Sequence, residues 1–368
     1  MRLIQRNVFP RCSTPLNVFS LIYKTMMKLN TVVIVIVSLC GLMGEALAVR
    51  PRLRDRRAAA CSPPSQYSSV FRNKNVVSAE NVLDEFPAEL VDFVPLLDSP
   101  VFTGTGTDTW DHSLRERSFI LHDGPLWTMW YTGYNKAKGP EKFLGHATSP
   151  DGIAWTRSFT QPIHTADWVE DVCVIHHDAL YHMFAEGTDD ISHRLTSVNG
   201  INWISHGPLD IRSVNGVPIE SGPYGTPTVF FEHGLWHLYY ERKDAAVWLA
   251  TSRDLQVWTN LQDEPVLRCG PEQYDAYAVA FDQVIRHKGR YYAYYHASDQ
   301  KEWGRWSTNI ATSSDLVHWK KYPRNPVLPA NPEQPLQSSG FLVKTPVGYQ
   351  FYTTHPVVSI FVPRSQHP

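Results

Sequence analysis

A ten-residue phrase is written four times along this chain, and it restricts the fold more than anything else in the sequence. It reads "TSPDGIAWTR" at 148–157, "TSVNGINWIS" at 196–205, "TSRDLQVWTN" at 251–260 and "TSSDLVHWKK" at 312–321. Its tryptophans, Trp155, Trp203, Trp258 and Trp319, follow one another at intervals of 48, 55 and 61 residues. Self-similarity at such a spacing marks a repeated supersecondary unit. The interval is too long for a solenoid and close to that of a propeller blade.

The stretch ahead of each phrase repeats too. "FILHDGPLWTMWYTGY" (119–134), "CVIHHDALYHMFAEG" (173–187), "TVFFEHGLWHLYYER" (228–242) and "QVIRHKGRYYAYYHA" (283–297) share one form, and "FLVKTPVGYQFYTTH" (341–355) is a fifth copy. Each has an apolar run, a tight turn and an alternating aromatic run, which reads as strand, turn, strand. A third strand follows, as in "FLGHATS", and then the turn and the Trp-bearing fourth strand. Five units in this fixed order predict an all-β chain, a five-bladed β-propeller of four-stranded antiparallel blades. The fifth unit runs out at Phe361 to Arg364 without a Trp phrase. The ring is therefore expected to close with a strand from the N-terminal part, within 65–105. The propeller is bounded at 89–364, with 49–88 as linker or ring-closing segment.

Inside the phrase, Asp or Asn can bond its own backbone two residues on and fix the turn. The Trp is an apolar wedge between blades. Recurrence argues against catalysis by Asp151, Asn199, Asp254 or Asp315. The phrase also differs from the sialidase Asp box, because Asp151 and Gly152 are adjacent and two copies carry Leu in place of Gly.

The first 48 residues do not belong to this pattern. "KLNTVVIVIVSLCGLMGEALA" has a basic start, a short apolar run and a small-x-small site ending at Ala48, the plan of a secretory signal. The residues before Met26 and Met27 fit no part of it, so the first 25 read as a misassigned start. A secreted or periplasmic chain beginning at Val49 is expected, with no membrane partner after signal removal. Cys61, Cys173 and Cys269 remain, enough for one disulfide whose pairing the spacing leaves open. A net charge of -2 gives no basic footprint for nucleic acid. No P-loop, dinucleotide fingerprint or HExxH occurs, so no cofactor is expected. The oligomeric state is not written in the sequence.

Chemistry is sought where the repeats disagree. Aligned on Trp127, Tyr181, Trp236 and Tyr291, the positions ten residues earlier are Arg117, Asp171, Thr226 and Phe281, and those five later are Thr132, Glu186, Glu241 and His296. The acids on this face are Asp111, Glu116, Glu170, Asp171, Glu186, Glu220, Glu241, Asp275 and Asp282. Half-buried carboxylates are costly unless paired or functional. Glycoside hydrolysis needs two carboxyls across the scissile bond, one of them protonated. Trp110, Trp168, Tyr224, Tyr274 and Trp303 lie in loops beside these acids and offer flat faces to sugar rings.

With its five-blade layout and repeated Ser-x-Asp-Leu/Gly-x-x-Trp turns, the chain resembles the five-bladed glycosidases of glycoside hydrolase families 43, 32, 117 and 130 over about residues 90 to 362. The resemblance implies an acid from each of blades 1, 2 and 3. Asp111 in "GTDTWDHSLRERSF" matches the first and Asp171 in "DWVEDVCVI" the second. Blade 3 departs from the pattern, because "YGTPTVFF" places Gly225 and Thr226 where those families carry a Glu before Pro. Glu241, Glu220 or His296 must then donate the proton, with Glu241 preferred. The expected catalytic set is Asp111, Asp171 and Glu241. Arg117, Glu186, Glu220, Arg242, Asp275, His296, His355, Trp110 and Tyr224 are expected to contact substrate, the two arginines neutralising acids or holding a carboxylate or sulfate. The implied activity is a secreted glycoside hydrolase acting on a plant or algal poly- or oligosaccharide. The competing readings are a carbohydrate-binding propeller without catalysis and a glycoside phosphorylase. The resemblance leaves room for a calcium ion in the channel, and no residue pattern demands it.

Overall fold

The computed structural model describes residues 85–301, 304–330, 333 and 338–367. The signal-like segment, Cys61 and Trp303 lie outside the described residues. Five antiparallel sheets follow one another along the chain. Blade 1 has Phe119–Leu121, Trp127–Tyr134, Phe143–Ser149 and Thr156–Arg157, with Ser113–Leu114 pairing the far end of its second strand. Blade 2 runs from Glu170–His177 through Leu180–Glu186 and Ser192–Ser197 to Ile204–Pro208. Blade 3 has Gly225–Glu232, Leu235–Glu241, Ala246–Ser252 and Val257–Asn260. Blade 4 has Ala278–His287, Arg290–Ser298, Trp306–Ser313 and Lys320–Lys321. Blade 5 takes Ser338–Thr345, Gly348–His355 and Ser359–Pro363 from the C-terminal part, and Phe93–Pro95 is its outermost strand. The ring thus closes through a strand that the sequence boundaries had counted as propeller, not linker. Asp210–Arg212, a further strand not expected from the repeats, lies parallel to the outer strand of blade 3.

The repeated phrase builds the same turn each time. Ser149 Oγ bonds Asp151, and Asp151 Oδ1 accepts the N–H groups of Ile153 and Ala154, both at 2.8 Å. Asn199, Asp254 and Asp315 do the same for their own turns. The next position is left-handed in all four copies: Gly152, Gly200, Leu255 (φ 62°) and Leu316 (φ 69°). A leucine is strained there, and both leucines offset the strain by packing into the core.

These turns also latch neighbouring blades. The middle residue of each second strand reaches the turn of the following blade. Tyr352 Oη donates to Gly152 O (3.0 Å), Trp130 Nε1 to Gly200 O (2.7 Å) and Tyr239 Oη to Leu316 O (2.9 Å). Phe184, with no donor, packs on Trp258 instead. Blade 5 has no such turn, and there Tyr294 Oη bonds Leu90 O (2.8 Å) in the single-turn helix α1, Ala88–Val91. The N-terminal segment supplies both the missing strand and the missing latch. Cys269 is disulfide-bonded, and Cys173 is a buried free thiol.

Candidate active site

The inner strands carry an irregularity at the end where they begin. Pairing slips between Glu170 and Cys173, between Gly225 and Thr228, and between Phe281 and Gln283. Asp171 (φ 47°), Thr226 (φ 43°) and Ser339 (φ 61°) take the left-handed conformation there, and in blade 1 Glu116 (φ 50°) does. Bulges of this kind re-aim a side chain. At these two acids they turn carboxyls toward the channel mouth.

Arg117, the residue after Glu116, fills the floor beneath them. It is fully buried. Its guanidinium donates to the carbonyls of Asp171 (2.6 Å), Val172 (3.1 Å), Pro227 (2.6 Å), Phe281 (2.9 Å) and Asp282 (3.1 Å), and to Thr228 Oγ1 (2.6 Å). All five N–H groups are used on blades 2, 3 and 4, so none is left for a ligand. The expected substrate contact is instead the pin of the ring. Among the described residues no group of three or more His, Cys, Asp or Glu could hold a metal ion. The floor beneath these acids is filled by the Arg117 guanidinium.

Above the pin, carboxyls from three blades meet. Glu116 pairs with Arg115 Nη2 at 2.8 Å and lies 3.7 Å from His355 Nδ1. Burial works to raise its pKa, but His355 and Arg115, then His296 and Lys142, hold it below the ordinary carboxylate value. Burial pushes the His355 pKa down against the charge of Glu116, so Arg115, bonded at 2.8 Å, is the cation we assign to Glu116. Asp171 accepts the Arg117 backbone N–H at 3.2 Å. Burial and then the charge of Glu116 push it up to about 7. Glu186 and Glu241 are raised well above the ordinary value, both by burial first, Glu186 then by Asp171 and Glu241, and Glu241 by Asp244.

Gly225 explains how the last two fit. A Cβ there would collide with Glu186 Oε2 and lie 2.7 Å from Glu241 Oε1. The blade 3 position where the resembling families carry a Glu is empty of side chain, and two carboxyls from the second strands of blades 2 and 3 close over it. Glu186 Oε2 accepts the Thr226 N–H (2.9 Å) and Glu241 Oε2 the Asp244 N–H (2.5 Å). On the blade 4 side, His296 Nδ1 bonds the buried Asp282 at 2.8 Å. Burial opposes its protonation, but Asp282 overrides this and lifts its pKa to about 9. Trp306 meets its ring edge-on at 5.0 Å.

Several expected residues lie elsewhere. Asp111 is committed to Arg157 Nε (2.7 Å) on the outer strand of blade 1, to Tyr131 Oη (3.1 Å) and to Thr109 Oγ1 (2.8 Å). Glu116, five residues on, stands where Asp111 was expected. Asp275 is a buried ion pair with Lys321 Nζ (2.5 Å) on the outer strand of blade 4. Trp110 stacks on Tyr131 and bonds Thr160 O. Tyr224 is buried and bonds Leu209 O. Tyr224 is packed within the blade, and Trp110, half-buried, has one face taken by Tyr131. Glu220 and Arg242 face each other at 4.0 Å, Glu220 largely exposed. Sequence alignment missed Arg115, Lys142 and Trp306 as mouth residues. The "RER" triplet around Glu116 was the available signal for the first.

No family model matches this chain, and no curated protein matches it. Solved structures do. A candidate glycoside hydrolase from Parabacteroides distasonis superposes with a TM-score of 0.63 at 17% identity, over 76% of this chain and 99% of that one. A glycosyl hydrolase from Bacteroides ovatus gives 0.59 at 16%, over 72% and 91%. The catalytic domain of a family 62 α-L-arabinofuranosidase from Coprinopsis cinerea gives 0.56 at 11%, over 75% and 98%. The likeness is one of fold, to propellers of carbohydrate-active enzymes.

Proposed function

We propose that this chain is a glycoside hydrolase in which Glu116 is the ionised carboxylate and Glu186 the proton donor. The observation that carries the reading is the split among neighbouring carboxyls. Glu116 lies beside the Arg115 guanidinium and is held below the ordinary carboxylate range, while Glu186 closes over Gly225 with Glu241 and is raised well above that range by burial and by the charges of Asp171 and Glu241. Two carboxyls with pKa values driven apart are what acid/base glycoside cleavage requires. Glu241 is tied by the Asp244 N–H and supports Glu186 through its proximity. Asp171 lies between the two roles, and its proton state tunes Glu186. His296, held by Asp282, stands beside Asp171 as a fixed cation.

The substrate we infer is a plant or algal poly- or oligosaccharide, and the mature chain is read as exported after Ala48. The disulfide at Cys269 supports an oxidising compartment. N-terminal sequencing of protein recovered from culture medium tests export, and a start other than Val49 would revise the cleavage site.

Catalysis is tested with Glu116→Gln, Glu186→Gln and Asp111→Asn on a panel of polysaccharides and aryl glycosides. Glu116→Gln should abolish release on every substrate. Glu186→Gln should abolish it on native glycans but spare aryl glycosides whose leaving group needs no proton. Full activity in either glutamine variant would sink the assignment. A wild-type protein that binds glycans without releasing sugar would make it a binding propeller.

A further inference from the structure

The third-strand residue paired with the middle of each second strand is nearly the same in every blade, and blade 2 breaks the pattern. Tyr239 pairs with Leu249, Tyr294 with Ile310 and Tyr352 with Ile360, three aliphatic residues that are buried. Trp130 pairs with His146, whose Nδ1 bonds Ser158 Oγ at 2.7 Å. Phe184 pairs with Arg194. The Arg194 side chain shares a face of blade 2 with Phe184 and His182. Those two rings pack on Trp258 and Trp236 of blade 3, so Arg194 stands in the junction between blades 2 and 3.

Arg194 is only 7% exposed, yet its guanidinium makes no hydrogen bond or ion pair among the described residues. Its nitrogens are not sealed from solvent as Arg115 Nε is. Burial alone acts on its pKa, lowering it, and no carboxylate charge opposes that. The acids of this region are committed elsewhere. Asp210, on the added strand beside blade 3, is gripped by Arg212 through three bonds of 2.6, 3.0 and 3.2 Å. Glu186, higher on the same face, accepts the Thr226 N–H. Asp178 is 89% exposed and pairs with His177. The other charged neighbours are basic. Burial and then the charge of Arg194 hold His182 down to about 4 and His206 below its ordinary value. A buried cation without a counter-charge is costly, and the other blades show that an aliphatic side chain fills this position.

We propose that the junction of blades 2 and 3 is an anion site, in which Arg194 binds a small inorganic oxyanion, sulfate or phosphate. The edge of a guanidinium matches two oxygens of such an ion. Thr196 stands next along the same face, with its Oγ1 2.8 Å from His206 Nε2. With His206 donating to it, the Thr196 hydroxyl is free to turn its proton to a third oxygen. The low exposure of Arg194 admits a free ion and keeps out an anionic group carried on a polymer. The bound ion supplies the missing charge and braces blade 2 against blade 3. The site is separate from the carboxyl mouth and does not depend on the glycosidase reading.

The test follows thermal unfolding by tryptophan fluorescence at one ionic strength while chloride is exchanged stepwise for sulfate or phosphate. Wild type, Arg194→Leu and Arg194→Lys are compared. Both anions stabilise any fold through exclusion from its surface, without saturation and alike in all three proteins, so the saturable part of the rise is what counts. In wild type it should reach about 5–10 °C at about 100 times the half-saturating concentration. Arg194→Leu should lose it, and in chloride alone should melt no lower than wild type, because it installs the side chain that blade 3 carries. Arg194→Lys keeps the charge without the fork, and its half-saturating concentration should rise at least about 10-fold. Calorimetry of wild type with sulfate, phosphate and chloride measures binding directly and covers a variant that fails to fold. A wild type with neither a saturable rise nor calorimetric binding overturns the proposal. So does an equal saturable rise in Arg194→Leu, or chloride bound as tightly as phosphate.

Discussion

Replacing Arg117 by methionine separates a pin from a ligand contact. Methionine fills much of the same volume but removes five donors from a fully buried site. Six acceptors on three neighbouring blades lose their partner. A hydrogen bond to a charged group contributes about 1.5–3 kcal/mol net. Counting only one such bond for each of blades 2, 3 and 4, at the low end, gives a loss of about 5 kcal/mol. A domain has about 5–15 kcal/mol in all. For a chain of this size 1 kcal/mol moves the Tm by about 2–4 °C, so Arg117→Met should melt about 10–20 °C lower. Arg117→Lys keeps the charge with three donors and should fall between. Thermal and urea unfolding followed by tryptophan fluorescence measure the loss. Well below the new Tm, the folded fraction of Arg117→Lys should show a wild-type KM, because no Arg117 donor faces the pocket. A Tm within 3 °C of wild type for Arg117→Met, or a raised KM with unchanged Tm, would refute the pin.

Four further outcomes follow from the same geometry. The kcat/KM profile should be bell-shaped, with an acid limb below the ordinary carboxylate range set by Glu116 and a basic limb set by Glu186. Asp171→Asn removes a charge that raises Glu186, so it should move the basic limb to lower pH, and an unmoved limb would uncouple the two. Asp315→Ala should cost about 1 kcal/mol at neutral pH, small because the turn is open to solvent, and leave kcat unchanged. Hydrogen bonds from His318 and Val317 hold the Asp315 pKa low against burial, so this advantage over Asp315→Ala exists above about pH 4 and fades as pH falls further. Lys321→Met strands buried Asp275 and should destabilise by about 3–5 kcal/mol, whereas Lys321→Met/Asp275→Leu should recover most of it, as a double-mutant cycle would measure.

The fold was legible because a propeller repeats its own errors and its own solutions. A Ser-x-Asp turn that must bond the same two N–H groups four times leaves the same letters four times, and hairpins with one face in the core alternate visibly. What had no letter pattern was the closure. Phe93–Pro95 is three residues long, and the latch at Leu90 uses a backbone carbonyl, which any residue supplies. Acids placed by register survived the step to three dimensions better than those placed by loop. Asp171, Glu186 and Glu241 sit on paired strands whose hairpins count alike, so counting from Tyr181 and Trp236 found them. Asp111 lies in a loop, where counting has no ladder to follow, and its carboxyl turned inward to Arg157.

Blade 1 shows why Glu116 escaped and Arg117 was misread. By hairpin register Arg117 is the counterpart of Asp171, yet the left-handed residue in blade 1 is Glu116, one position earlier. A one-residue shift of the bulge exchanges which side chain faces the mouth and which the floor. Glu116 therefore rises to Arg115 and His355, and Arg117 drops onto the carbonyls of three blades. The same shift makes the floor a cation and the mouth an acid. Gly225 completes the logic on blade 3. Loss of a side chain there is no loss of an acid, because the space is what admits Glu186 and Glu241 together. Gly225→Ala should therefore abolish activity while both carboxyls remain in the chain, through displacement of Glu186 from the mouth. A Gly225→Ala variant with wild-type kcat would mean that the two carboxyls need not meet, and the donor would have to be sought elsewhere.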